Sequence, residues 1–125
     1  MLAVLGGGLA AAVVYGLNRR AARVMGEKAI TVAGPAIEEL AKTLASVLLG
    51  APLVETHLAF GVIEAVYDMS QGTRAGAPAV ILSTGGHTLF GIVTYMVTLW
   101  SGSWQAGTIA AVFAHAIWNR TILSI

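Results

Sequence analysis

Residues 1–17 read MLAVLGGGLAAAVVYGL, and this stretch carries no charged side chain. It is closed by Asn18, Arg19 and Arg20, so the pattern predicts a helix over about 2–22. At a rise of about 1.5 Å per residue, such a helix crosses a hydrocarbon core about 30 Å thick. In a cleaved signal peptide the positive charges precede the apolar run, whereas here they follow it. We therefore expect a retained membrane anchor.

The composition extends this pattern to the whole chain. Of its 125 residues, 57% are apolar and 10% are charged, and the mean hydropathy is +0.80. A soluble domain carries about 25% charged residues. The net charge of +1 is too small for a nucleic-acid-binding surface, so we expect no nucleic-acid partner. Cysteine is absent, which excludes disulfides, thiol nucleophiles and thiolate metal ligands.

Four further apolar segments follow, separated by short stretches that contain glycine, proline or serine. None of them shows the alternation that is typical of a strand. We therefore predict an all-α protein, a polytopic membrane helix bundle that forms one transmembrane domain over 1–125 in the lipid bilayer. The five transmembrane helices are expected at about 2–22, 27–50, 53–70, 78–100 and 104–124.

The distribution of basic residues predicts an orientation. Six of the seven lie in the first or third connection or near the C-terminus, and the second and fourth connections contain none. By the positive-inside rule the basic side is cytoplasmic, so the N-terminus is expected outside and the C-terminus inside. The seventh basic residue, Lys42, lies within a span. We expect an integral protein of a prokaryotic cell membrane.

Ionisable side chains within the spans are the most informative feature, because each costs at least about 2.5 kcal/mol to insert. Counted from the cytoplasmic helix ends, Glu39, His87 and His115 lie roughly 12–15 Å deep and Glu64 about 6 Å deep. Four helices thus bring polar groups to nearly the same layer, as a single buried site requires. Glu55 and His57 lie near the outer interface, where we expect both to be solvated.

The spacing along each helix suggests how these groups are arranged. Glu38 and Lys42 are four residues apart and are expected to pair on one helical face. Glu39 is then rotated toward a neighbouring helix and stays free. His115 and Asn119 are also four apart and would present a ring nitrogen and an amide side by side.

Glycine marks three further features of the sequence. Gly91 shares a face with His87 and would let another backbone or a substrate approach. Gly34-Pro35 could kink the second helix and free carbonyl groups near the site. Residues 6–8, three glycines in a row, could serve as an interface with another subunit.

The residue types exclude several classes of intramembrane hydrolase. An aspartyl dyad needs two aspartates, and Asp68 is the only one in the chain. No histidine is followed by glutamate, so the HExxH zinc helix is absent. A GxSxG nucleophile elbow is absent as well. Glutamate and histidine acting on water remain, because a carboxylate in a low-dielectric site can serve as a general base.

Four short motifs resemble those of one protein family, the PrsW-type intramembrane proteases, which are relatives of the CPBP glutamate proteases that process CAAX proteins. They occur in the family's order, each on a separate predicted helix, and together cover 38–119. Residues 38–42 (EELAK) resemble the EExxK motif, 60–67 (FGVIEAVY) the FxxxE block, His87 with Gly91 the third motif, and 115–119 (HAIWN) the closing HxxxN.

The resemblance implies hydrolysis of a peptide bond in a membrane-protein or peptide substrate, within a helix bundle that surrounds a cavity. It implies that Glu38 and Glu39 activate water and that His115 and Asn119 stabilise the oxyanion. Glu64 stands where the CAAX-processing branch has a histidine, so His87 could be the partner of the base. Structural support would come from Lys42, Phe60 and Tyr67.

Three alternatives remain open at this point. Glu64, His87 and His115 could bind a divalent metal such as zinc, with Glu39 as the base, since such ligands with an open water position suit catalytic zinc. The same ionisable groups also suit a small proton-coupled transporter or channel subunit. A non-catalytic binding scaffold is the third alternative. Because the chain is short for the family, a homo-oligomer or another partner could complete the site.

Overall fold

The computed structural model describes residues 1–26, 29–71 and 77–122, with the backbone alone at Ile30, Ala77, Ala79 and Ile122. The prediction of an all-α protein is confirmed, and these ranges contain no strand. A π-helical turn at Ala29–Ala33 precedes the second helix. The helices are α1 (Leu2–Met25), α2 (Gly34–Leu49), α3 (Leu53–Ser70), α4 (Ala77–Ser101) and α5 (Trp104–Ile122).

Glycine and proline set the helix ends. Pro35 occupies the first turn of α2, where its missing N–H group is not needed. Gly50 ends α2 with a φ of 61°, in the left-handed region that glycine adopts without strain. Pro52 then precedes α3 in an extended conformation. Gly102, with a φ of 71°, makes the same kind of turn between α4 and α5.

Small residues let the helices approach closely. A Cβ atom added to Gly7 of α1 would lie 2.8 Å from Ala59 of α3, and one added to Gly91 of α4 would lie 2.8 Å from His57. These glycines therefore fix where α1 and α4 cross α3. Gly91 admits a neighbouring helix, which is one of the two uses expected for it.

The glycine run of α1 corrects one expectation. Gly6 and Gly7 are buried against α3 of the same chain instead of facing another subunit. The reason is that α3 supplies small or β-branched partners, Thr56 and Ala59, at the matching positions. The irregularity expected at Gly34-Pro35 lies just before it, in the π-helical turn at 29–33. Gly34 itself is the first residue of a regular α2.

The bundle has an inverted distribution of polarity. Its fully buried side chains include Glu39, Lys42 and His57, together with several threonines. Leucine, isoleucine and valine side chains on all five helices point outward, with Leu48 at 79% and Ile81 at 69% exposure. A soluble domain does the opposite and rarely exposes large contiguous apolar surfaces.

Two helices are long and apolar enough to cross a membrane. They are α1 and residues Val80–Ser101 of α4, with mean hydropathies of 1.3 and 1.4. With 16 residues, α2 is only about 24 Å long and carries three charged side chains. Length and composition therefore identify two candidate spans.

Candidate active site

Glu39 lies at the centre of a buried cluster of charged side chains. Its Oε1 atom accepts hydrogen bonds from Lys42 Nζ at 2.5 Å and from His115 Nδ1 at 2.8 Å. Glu39 and Lys42 have no exposed surface, and His115 is 4% exposed. Because Lys42 is bound to Glu39, the expected pair between Glu38 and Lys42 is wrong. Glu38 lies four residues before Lys42 and Glu39 lies three before it, so both are its neighbours on the helix. The contacts that Lys42 and Glu39 make with α4 and α5 favour Glu39 as the partner.

Lys42 also connects this cluster to α4. Its ammonium lies 2.9 Å from His87 Nδ1, and the opposite ring nitrogen, Nε2, lies 2.6 Å from Glu64 Oε2. An ammonium group can only donate, so His87 Nδ1 is the acceptor and Nε2 carries the hydrogen that Glu64 accepts. Ser83 donates a second hydrogen bond to the same glutamate oxygen at 3.1 Å.

Glu38 occupies a different environment from its neighbour. Asn18 Nδ2 of α1 donates to Glu38 Oε1 at 2.9 Å, and Glu38 Oε2 lies 3.8 Å from His115 Nε2. His115 Nδ1 donates to Glu39, so Nε2 is the ring nitrogen that faces Glu38, and in a neutral ring of this kind Nε2 would carry the lone pair. A carboxyl group and a ring nitrogen thus face each other across a gap.

This gap lies in a cavity of about 440 Å³ at the end of the bundle that holds the arginines of α1 and α5. The C-terminal halves of α1, α3 and α5 and the N-terminal halves of α2 and α4 contribute its walls. Glu38 lines the cavity whereas Glu39 does not. The polar lining residues are Asn18, Glu38, Glu64, Asp68, Ser83, His87, His115 and Asn119, and Gly34, Gly86, Phe90 and Trp118 are among the others.

Aromatic rings fix the orientation of the histidines. Phe90 stacks on His115, with centroids 4.4 Å apart and an interplanar angle of 18°. Phe60 packs edge-on against His87 at 5.0 Å, and Lys42 Nζ lies 4.7 Å from the centre of the same phenyl ring. A cation over an aromatic face is stabilised by the ring quadrupole. Phe60 therefore supports both Lys42 and His87.

A divalent metal fits the histidines poorly. Among the described residues, Glu38, His87 and His115 offer ligand atoms that all lie within 4.8 Å of one another. Glu64, expected as a ligand, instead hydrogen-bonds His87 Nε2. Both ring nitrogens of His87 are occupied, and the Lys42 ammonium at 2.9 Å would repel a cation there.

Most of the residues expected at the site come together, but two lie elsewhere than expected. Asn119 lines the cavity with Glu38 and His115. Tyr67 is exposed at the end of α3, where its ring packs against Tyr15 at 5.3 Å. His57 has no exposed surface, so the expectation that it is solvated is wrong, while Glu55 is exposed as expected. The approach of α4 at Gly91 covers the ring of His57.

Two residues of this site were not identified from the sequence. In the sequence Asn18 only marks the end of an apolar run, yet its side chain reaches Glu38 from α1. Its position one residue before the arginines gave no sign of this contact. His57 shares a helical face with Phe60, Glu64 and Tyr67, and the sequence shows this stripe, but a position near the outer interface predicted a solvated side chain.

Comparison of the chain with models of protein families, with curated proteins and with solved structures finds no match.

Proposed function

We propose that the protein is an intramembrane endopeptidase in which Glu38 activates the attacking water. The observation that carries this proposal is the difference between the two adjacent glutamates. Glu39 is enclosed and bound by Lys42 and His115, whereas Glu38 lines the cavity opposite His115 Nε2. Two carboxylates in contrasting environments are typical of sites where one acts as a base and the other has a fixed role.

In the proposed reaction, a water molecule lies between Glu38 Oε2 and His115 Nε2. It donates one hydrogen to each, so that a lone pair of its oxygen is directed at a peptide carbonyl carbon. Glu38 accepts the proton as the C–O bond forms, and later gives it to the leaving amine as the C–N bond breaks. Glu39 keeps the Nδ1 hydrogen of His115 in place.

Asn119 is assigned to the oxyanion. It lines the cavity one helical turn beyond His115, and a side-chain amide is a suitable donor to a developing negative charge. The resemblance implied that His115 shares this role. A neutral His115 that donates through Nδ1 has no Nε2 hydrogen to offer, so in this mechanism His115 orients the water.

In this proposal, all five helices span the membrane. The outward-facing apolar side chains on every helix, and the charged groups buried among them, support this arrangement. The cavity then opens toward the leaflet on the arginine side, which the positive-inside rule assigns to the cytoplasm. The substrate is a membrane protein or a peptide that reaches this leaflet.

The test compares peptide termini in membranes that contain wild-type protein, Glu38→Gln or Glu55→Gln, mapped by mass spectrometry. Glu55 is an exposed glutamate at the other end of the bundle, so Glu55→Gln controls for the change in charge. We expect termini that appear with wild type and Glu55→Gln, and a loss of about 10²- to 10⁴-fold with Glu38→Gln. Termini that form equally with folded Glu38→Gln would overturn the proposal.

A proton-coupled transporter is the second candidate. The hydrogen-bonded series His115, Glu39, Lys42, His87 and Glu64 favours it, because linked ionisable groups can pass protons. Vesicles that hold a pH-sensitive dye distinguish the two functions. Proton flux that requires Glu64 and persists in Glu38→Gln would support transport over proteolysis.

A further inference from the structure

His57 is a buried ionisable residue for which the proposed mechanism has no role. It lies on α3 with no exposed surface, and its Nδ1 atom is 3.4 Å from Glu39 Oε2. Within the described parts of the chain, neither ring nitrogen of His57 has a hydrogen-bond partner, and neither does Glu39 Oε2. Buried polar groups without partners are rare because each is expensive to desolvate.

The two oxygens of Glu39 face different neighbours. Oε1 accepts hydrogen bonds from Lys42 and His115, while Oε2 points toward His57. A shift of a few tenths of an ångström would turn the 3.4 Å contact into a hydrogen bond of ordinary length. Gly91 accommodates the imidazole, because a Cβ atom there would lie 2.8 Å from His57 Cβ.

We propose that His57 is a positioning residue, whose Nδ1–H group holds Glu39 Oε2 and thereby keeps Oε1 between Lys42 and His115. This inference rests on the proposed function, because its catalytic effect passes through His115. With Oε2 held, the carboxylate cannot rotate away from His115 Nδ1. The Nδ1 hydrogen then stays in place, and Nε2 remains the acceptor that faces the attacking water.

A pair of substitutions separates the hydrogen bond from the volume of the ring. His57→Asn keeps an N–H group near the position of Nδ1, and His57→Phe keeps an aromatic ring without a donor. On a quenched peptide built from the mapped cleavage site, we expect His57→Phe to lower kcat at least about tenfold. KM should not change, because His57 does not line the cavity. His57→Asn should retain most of the activity.

A second measurement does not depend on activity. The chain has three histidines, so ¹⁵N-histidine labelling yields a small set of ring signals, and His57→Asn identifies those of His57. In wild type and His57→Asn we expect His115 to carry its hydrogen on Nδ1. In His57→Phe a substantial fraction should shift to the Nε2–H form.

Two results would overturn the role of His57. One is a folded His57→Phe variant with the wild-type kcat and the wild-type His115 signals. The other is equal impairment of the Asn and Phe variants, since the donor would then not be what matters. If wild type cleaves no peptide, the proposed protease function fails, while the histidine signals still decide whether His57 positions Glu39.

Discussion

At the scale of single residues, two adjacent glutamates have different environments because of their partners. Glu39 forms a fully buried ion pair with Lys42, whereas Glu38 lines the cavity and is hydrogen-bonded to Asn18. Nothing local distinguishes them, since both occupy the same helix one residue apart. Helices α1, α4 and α5 supply the difference through Asn18, His87 and His115.

The first prediction concerns the buried ion pair. Removing one partner leaves the other charge unpaired away from water, so Lys42→Met or Glu39→Gln should lower the free energy of unfolding by about 3–5 kcal/mol. The double variant should lose less than the sum of the single variants. Denaturant titration in detergent, followed by circular dichroism, measures these values. Glu55→Gln is the control, and it should change the free energy of unfolding by no more than about 0.5 kcal/mol. If the loss in the double variant equalled the sum of the two single losses, the coupling between Glu39 and Lys42 would be contradicted.

The second prediction concerns metal ions. Because Lys42 and Glu64 occupy both ring nitrogens of His87, cleavage should continue after treatment with a strong zinc chelator. The rate of peptide cleavage before and after chelation gives the answer. Loss of activity that returns on addition of zinc would contradict this prediction and restore the metal alternative.

Much of the site could be predicted from the sequence, and the parts that could not be predicted have physical reasons. Depth along each predicted helix was enough to bring Glu39, His87 and His115 to one layer. Depth does not show which face of a helix is covered, so it could not predict that His57 is buried. Spacing alone also could not choose Lys42's partner, because positions three and four apart are both neighbours on a helix.

At the scale of helices, α1 packs through its glycines and contributes Asn18 to the buried polar cluster. Gly7 meets the backbone of α3 at Phe60, while Gly16 on the same helix has no atom within 4 Å of an added Cβ. The apolar segments and the short breaks between them predicted these helices. They did not indicate the π-helical turn at 29–33, which lies directly before Gly34.

The third prediction uses these two glycines. A Cβ added to Gly7 would lie 2.8 Å from Ala59 Cβ and from Phe60 N, so Gly7→Ala must push α1 away from α3. We expect it to lower stability by about 1–3 kcal/mol. Gly16→Ala, the matched control, should be neutral or stabilising by up to about 1 kcal/mol. Thermal unfolding in detergent compares them, and equal stability of the two variants would contradict the assigned packing.

At the scale of the whole molecule, the polar interior and apolar exterior are the dominant feature. A bundle of this kind gains little from apolar burial inside, so close helix packing and buried hydrogen bonds must hold it together. The composition alone predicted the apolar exterior. The apolar segments predict the number of spans and the distribution of basic residues predicts their orientation, and the orientation is open to a direct test.

The fourth prediction addresses orientation. The sequence has no cysteine, so a single introduced thiol reports one position without background. Met25 and Ser101 are both exposed and lie at opposite ends of the bundle. In intact cells, a membrane-impermeant maleimide should label Ser101→Cys and should label Met25→Cys only after permeabilisation. The reverse pattern would place the cavity on the outer side.

The ion pair within α2 also bears on the order of synthesis. Glu39 and Lys42 lie one turn apart, whereas His115 leaves the ribosome 76 residues after Glu39. In the proposed topology, α2 leaves the ribosome before α4 and α5 do. Because the carboxylate of Glu39 and the ammonium of Lys42 neutralise each other on one helix, Glu38 is the one charged side chain of α2 that enters the bilayer without a partner on the same helix. The later histidine then joins a carboxylate oxygen that the lysine has already oriented.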